Sequence, residues 1–172
     1  MLNILSSISP IDTETYGNMK LTLRVLIECE KGSVHKCEYD DSLSAMVIVR
    51  DLHKKYPYPY NYGAIPQTLA DDGDNLDAIV ISNEPIPSGT LVNCFPIGIV
   101  EMIDRGKQDN KLICIPFYDT TGKINIKKIM KYLSCYKYPE PEGVTEVLGF
   151  LGAEEAWKAV RTAYNLYIEV NK

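Results

Sequence analysis

Residues Ala70-Asp71-Asp72-Gly73-Asp74-Asn75-Leu76-Asp77 place four carboxylates within seven positions, immediately before the apolar run Ala78-Ile79-Val80-Ile81. No Lys or Arg stands between Lys55 and Arg105, so no cation nearby in sequence neutralises them. Carboxylates crowded this closely repel one another and take up protons unless a cation joins them. A hard divalent ion such as Mg²⁺, which prefers carboxylate and water oxygens, meets that need. An extended backbone through Asp72 and Asp74 sends both side chains to one face. Gly73 between them permits a tight backbone or the close approach of a ligand. The same residues also suit a solvated acidic hairpin loop, because Asp-Gly is a common turn dipeptide. An EF-hand is a poor match, since the Asp-x-Asp/Asn-x-Asp/Asn-Gly order and the closing Glu are missing. On its own, the segment leaves a metal site and a plain acidic turn both open.

The elements that must position this loop are mostly strands. Leu21, Leu23, Val25 and Ile27 alternate as a strand should, with Glu28 on the face opposite Ile27. After the Lys31-Gly32 turn, residues 33–39 read as a second strand with Lys36 and Glu38 on one face, and Ala45–Arg50 as a third. Their charges also fit the wet face of a half-exposed sheet. Tyr56-Pro-Tyr-Pro-Tyr-Asn-Tyr62-Gly63 contains prolines that oppose regular pairing and predict a rigid, extended connection. Its tyrosines serve equally as packing or as phenolic donors around an anion. A strand at 78–82, a turn at Glu84–Gly89, a strand-rich Leu91–Met102, a polar loop Asp104–Asp109 and a strand Lys111–Ile115 follow. Short strands separated by turn signals predict a closed or nearly closed β-barrel. Ile126, Ile129, Met130, Leu133 and Tyr136 then recur at helical spacing, until Tyr138–Gly143 breaks the pattern. A second helix over about Ala153–Glu169 carries Trp157, Val160, Tyr164 and Tyr167 on one stripe, read as core.

The 172 residues predict one domain with a sizeable core, and 45% hydrophobic against 24% charged content fits an ordinary globular protein. A net charge of -5 opposes nucleic-acid binding by broad phosphate neutralisation. Five widely spaced cysteines form no CxxC pair and only two histidines are present, which opposes a zinc site. The cysteines read as reduced thiols of a cytoplasmic protein. The first ten residues lack a signal-peptide pattern, and no apolar run reaches membrane-spanning length, so no membrane association is expected.

Taken together, these motifs resemble the family I soluble inorganic pyrophosphatases of bacterial type. The family hallmark Asp-Gly-Asp-Pro-x-Asp stands here as Asp72-Gly73-Asp74-Asn75-Leu76-Asp77, with Asn75 in place of the proline. Glu28 and Lys36-Cys37-Glu38 match in order, and Arg50 closes its strand. Tyr58-Pro59-Tyr60-Asn61-Tyr62-Gly63 is similar to the family's Tyr-Pro-x-Asn-Tyr-Gly. Asp104, Asp109 and Lys111 keep the spacing Asp-x4-Asp-x-Lys, Tyr136-Lys137 matches a Tyr-Lys pair, and Arg105 stands where relatives often carry an acid.

The resemblance implies an α+β protein, mainly β with flanking helices, built on an OB-like five-stranded β-barrel over residues 1–172. It implies Mg²⁺-dependent hydrolysis of inorganic pyrophosphate to two orthophosphates by direct attack of metal-activated water, with Asp74 as the proton acceptor. Asp72, Asp77, Asp104, Asp109 and Glu38 would hold metal. Lys36, Arg50, Tyr62, Lys111, Tyr136 and Lys137 would bind phosphate, and Glu28 and Tyr58 would support them. A homohexamer is the assembly it implies. Three other readings account for less. An OB-fold nucleic-acid binder conflicts with the acidic balance, and a Ca²⁺ module leaves the Lys, Arg and Tyr set unexplained. An Asp-x-Asp-x-Thr phosphatase would need Thr where Leu76 stands.

Overall fold

The computed structural model describes residues 4–12, 21–137 and 144–172. A short helix α1 (Ile4–Ser7) and strand β1 (Ile11–Asp12) precede β2 (Thr22–Cys29), β3 (His35–Asp40) and β4 (Ala45–Asp51). Next come β5 (Asn61–Ala64), β6 (Asp77–Val80), the long β7 (Leu91–Asp104), β8 (Lys107–Gln108) and β9 (Lys111–Pro116). Helix α2 (Ile126–Leu133), β10 (Thr145–Gly152) and helix α3 (Ala153–Val170) complete the order.

Five strands close a ring. β2 pairs with β5, β5 with β6, β6 with β9, β9 with β7, and β7 returns to β2. All these pairings are antiparallel except β6 with β9. This is the expected five-stranded barrel, in a chain that is mainly strand with helices alongside. The hairpin β3–β4 forms a separate two-stranded sheet.

Alternation along the strands divides the interior into two cores. Ala78 and Val80 of β6, with Leu112 and Cys114 of β9, pack with Ala156, Val160 and Ala163 of α3. Ile79 and Ile113, from the opposite faces of the same strands, pack with Ile129 and Leu133 of α2 and with Tyr58, Tyr62 and Tyr136. Strands buried on both faces read as continuous apolar runs, which explains Ala78–Ile81.

Four details differ from the sequence expectation. Asn61–Ala64 pairs on both sides as β5, because the peptide N–H groups beyond Pro59 are free to join a ladder. The first helix stops at Leu133, and Tyr136 is buried in the turn that follows. On α3 the buried stripe is Ala156, Val160 and Ala163, one position round from the aromatic one, because alanines let the helix approach closely. β10, which the sequence reading passes over, pairs along β7 with a bulge between Val147 and Gly149. The predicted break at Tyr138–Gly143 lies outside the described residues.

Candidate active site

The acidic loop is a tight turn, not an extended strand. Gly73 adopts φ +99°, a conformation open to glycine, and its N–H donates to Ala70 O at 3.0 Å. Asp74 N donates to the Asp72 carboxylate at 3.1 Å, and Ala70 N to Asp74 O at 2.8 Å. Thr68 clamps the base of the loop: its hydroxyl accepts from Leu76 N at 2.9 Å and donates to Ile65 O at 2.6 Å. Asn75, which replaces the family proline, donates its side-chain N–H to Thr68 O at 2.8 Å. The amide thus ties the loop to the barrel with a hydrogen bond where a ring would have fixed φ.

Asp77 opens β6 and is the direct register partner of Lys111 in β9. The Lys111 ammonium, 1% exposed, donates to the carboxylates of both Asp77 and Asp109. Burial pulls the Lys111 pKa down, but Asp77, Tyr136 and Asp109 outweigh it and the net shift is upward. Its Nζ lies 5.9 Å from the centroid of the Tyr62 ring. Lys137 pairs with Asp104 and lies 5.7 Å from the Tyr136 ring centroid. Asp104 also accepts from Thr145 Oγ1 at 3.3 Å, a contact supplied by the unforeseen β10.

On the opposite wall, Lys36 pairs with Glu38 along β3. Arg50 in β4 is the register partner of Lys36, so two cations stand directly across from each other. Like charges so placed cost stability unless an anion joins them. Glu28, Lys36, Glu38, Tyr62, Asp74 and Asp77 line one cleft of about 140 Å³. Beside Asp77, the Lys111–Asp109 pair and Asp104 act electrostatically on the buried Tyr136 hydroxyl.

The carboxylates feel one another. Asp74 is pushed up by burial, then by Asp72, Asp77 and Glu38, with Lys36 opposing. Asp109 is pushed up by burial, and Asp77 and Asp72 add to this against Lys111. Glu28, buried and accepting from Tyr39 N at 3.2 Å, is pushed up to about 8 by burial first and by Asp77 second. Tyr62 and Tyr136 are raised by burial and by the same carboxylates, so both are hydrogen-bond donors at neutral pH. Tyr58 sits behind the site, its ring 5.4 Å from that of Tyr62.

Among the described residues, no three His, Cys, Asp or Glu side chains converge as a ready metal cage. Instead, lysine ammonium groups bridge the expected ligands: Lys111 between Asp77 and Asp109, Lys137 on Asp104, and Lys36 on Glu38. The donor set still fits a hard divalent cation, being all carboxylate oxygen, mutually repelling and partly buried. Two structural anchors were given no role from the sequence. Asn61, fully buried, accepts from Lys31 N and Ile86 N at 3.0 and 2.8 Å and donates to Ser82 Oγ at 2.8 Å. Tyr132 joins the aromatic group behind Tyr136, and its one-turn spacing before Tyr136 was the available signal.

Comparison with known proteins shows the family. The family model described as inorganic pyrophosphatase matches residues 25–168. An inorganic pyrophosphatase of Synechocystis is 40% identical over 74% of this chain and 81% of its own length. One from Halobacterium salinarum is 33% identical over 92% of this chain and 95% of its own. The crystal structure of an inorganic pyrophosphatase from Neisseria gonorrhoeae superposes with a TM-score of 0.82 at 31% identity, covering 96% of this chain and 97% of that one. The structure from Thermus thermophilus also reaches 0.82, at 29% identity, over 96% of this chain and 99% of that one. With the family model matching residues 25–168 and relatives 33–40% identical over most of the chain, the chain belongs to the inorganic pyrophosphatase family and is an inorganic diphosphatase, a hydrolase.

Proposed function

We propose that the chain hydrolyses inorganic pyrophosphate to two orthophosphates with Mg²⁺, using the cleft between β3–β4 and the β6–β9 edge. The observation that carries this reading is the pairing of three lysines with the expected carboxylates: Lys36–Glu38, Lys111–Asp77/Asp109 and Lys137–Asp104. Such a surface can exchange both partners at once, giving its carboxylates to cations and its lysines to phosphate oxygens.

Asp72, Asp77, Asp104, Asp109 and Glu38 would hold Mg²⁺, which supplies Lewis acidity toward water and neutralises the diphosphate. Lys36, Lys111 and Lys137 would bind phosphate oxygens as point charges, and Arg50 as a bidentate fork. Tyr62 and Tyr136 would donate their hydroxyl protons to the same oxygens. Asp74 would take the proton from the attacking water. Its raised pKa brings it nearer neutrality, which suits a general base. Glu28 would steady β3 by accepting from Tyr39 N, and Tyr58 would back Tyr62.

The family match over 25–168 supports reading the chain as one such domain. Five free cysteines suit a reducing, cytoplasmic setting. Among the described residues, no helix is long and apolar enough to cross a membrane. The net charge of -5 supports the absence of a nucleic-acid partner, and the resemblance supports a homohexamer.

The experiment is phosphate release from pyrophosphate, with Mg²⁺ and with chelator, beside ATP and a simple monoester. Turnover restricted to Mg²⁺ and pyrophosphate is expected. Equal metal-independent turnover of the monoester would overturn the reading. Sedimentation of the intact protein tests the hexamer.

A further inference from the structure

The two tyrosines at the front of the cleft rest on two more behind them. Tyr62 packs on Tyr58 at 5.4 Å between ring centroids, Tyr58 on Tyr132 at 6.3 Å, and Tyr132 on Tyr136 at 5.5 Å. Tyr136 lies three residues beyond the last helical residue, Leu133, in a turn that continues the helical hydrogen-bond pattern. Its N–H donates to Tyr132 O at 2.9 Å, and Cys135 N donates to the same carbonyl at 3.0 Å. Main chain and ring of Tyr132 therefore both define where Tyr136 points. The Tyr132 hydroxyl is buried and has no hydrogen-bond partner among the described residues. A buried hydroxyl without a partner destabilises the fold, so packing of the ring is what this side chain contributes.

We propose that Tyr132 is a positioning residue for the phosphate-binding end of the cleft, its ring holding the Tyr136 hydroxyl beside Lys111 and Lys137. This rests on the pyrophosphatase reading above and adds to it a residue that touches no substrate. The charge pattern agrees: the Lys111 ammonium acts on the Tyr136 phenol, and Lys137 lies 5.7 Å from its ring centroid. A ring mispacked at 132 frees Tyr136 to swing about the turn, and the donor is no longer aimed when pyrophosphate arrives.

The test is a double-mutant cycle in the intact protein with Mg²⁺-pyrophosphate: Tyr132→Met, Tyr136→Phe, the pair together, and Tyr132→Phe. Met fills the space without a ring. Tyr132→Met is expected to raise KM about tenfold and change kcat about twofold at most, the pattern of lost ground-state binding. In the Tyr136→Phe background the same change is expected to add almost nothing, because the hydroxyl it positions is gone. Tyr132→Phe keeps the ring, so it restores the wild-type KM, and it melts at a higher temperature once the unpartnered hydroxyl is removed. Additive effects in the cycle overturn the assignment. So does a KM in Tyr132→Phe raised as far as in Tyr132→Met, or a Tyr132→Met that loses active fraction at unchanged KM. Should Tyr132→Met fold poorly, Tyr132→Leu, which also lacks the ring, takes its place in the cycle with the same expected outcomes. Wild-type turnover is measured first: its absence sinks the pyrophosphatase reading itself, whereas turnover with an additive cycle sinks only the role of Tyr132.

Discussion

Lys111 and Asp77 are cross-strand neighbours in the parallel β6–β9 pair, and their side chains meet in an ion pair at the mouth of the cleft. Asp109 shares the same ammonium. Removing that ammonium leaves two carboxylates facing each other beside an apolar strand. Lys111→Met is therefore expected to lose about 3 kcal/mol of stability in chelator, the low end for breaking a buried pair. Mg²⁺ should restore more of the melting temperature in the variant than in the parent, since it takes up the freed carboxylates. Thermal melts with and without Mg²⁺ check this. A variant as stable as the parent in chelator would mean that the bridge contributes nothing.

Glu28 gives a stability dependence on pH. Its folded pKa, about 8, lies above the ordinary 4.5, so the folded state keeps its proton while the unfolded chain ionises. The contribution is complete below 4.5 and is lost as pH rises toward about 8. Glu28→Gln keeps an oxygen for Tyr39 N but cannot ionise. At pH 8.5 in chelator it should be more stable than the parent, by on the order of 3 kcal/mol, and the two should converge near pH 4. Urea titrations at the two pH values give the answer. Equal stability at both would put the Glu28 pKa in the ordinary range.

Much of this was legible in the sequence, and the gaps have physical causes. The Leu21–Ile27 alternation and the Ala78–Ile81 run located β2 and β6 because side-chain periodicity and two-sided burial leave direct traces. The candidate site residues were named because carboxylates, lysines and tyrosines in a fixed order resemble a family's. β10 escaped because Gly149 and Gly152 dilute its pattern and its bulge breaks the alternation. The turn at Asp72–Asp74 depends on Gly73 taking a positive φ, which an Asp-Gly pair permits but does not require. The lysine bridges were beyond reach, since Lys111 meets Asp77 only when two strands 34 positions apart fall into register.

Gly63, the last residue of the Tyr-Pro-x-Asn-Tyr-Gly match, has a packing reason. A Cβ there would stand 2.0 Å from Leu26 O and 2.8 Å from Leu26 C, both main-chain atoms of β2. Backbone cannot move aside without breaking the β2–β5 pairing that closes the barrel. Gly63→Ala should cost about 3 kcal/mol or more, above the usual range for an added methyl. Denaturant unfolding measures it, and a loss below 1 kcal/mol would show that the strands can separate cheaply.

Asp74 and Asp77 should part company when each is changed to Asn. Asp77 anchors the loop to the barrel through Lys111, and its proposed role is to hold metal. Asp74 is more exposed, lies at the turn, and shares the cleft with Lys36 and Glu38. Asn keeps the size of either side chain, but it takes no proton from water and is a poorer ligand for a hard cation. Asp77→Asn should weaken Mg²⁺ affinity together with turnover. Asp74→Asn should fold and bind Mg²⁺, yet lose on the order of 10²–10⁴-fold in rate, the range for a missing general base. Part of that rate should return at higher pH, where water ionises more readily. Calorimetric Mg²⁺ titration beside pH–rate profiles separates the two roles. Near-normal turnover in Asp74→Asn, or metal loss as severe as in Asp77→Asn, would overturn the division.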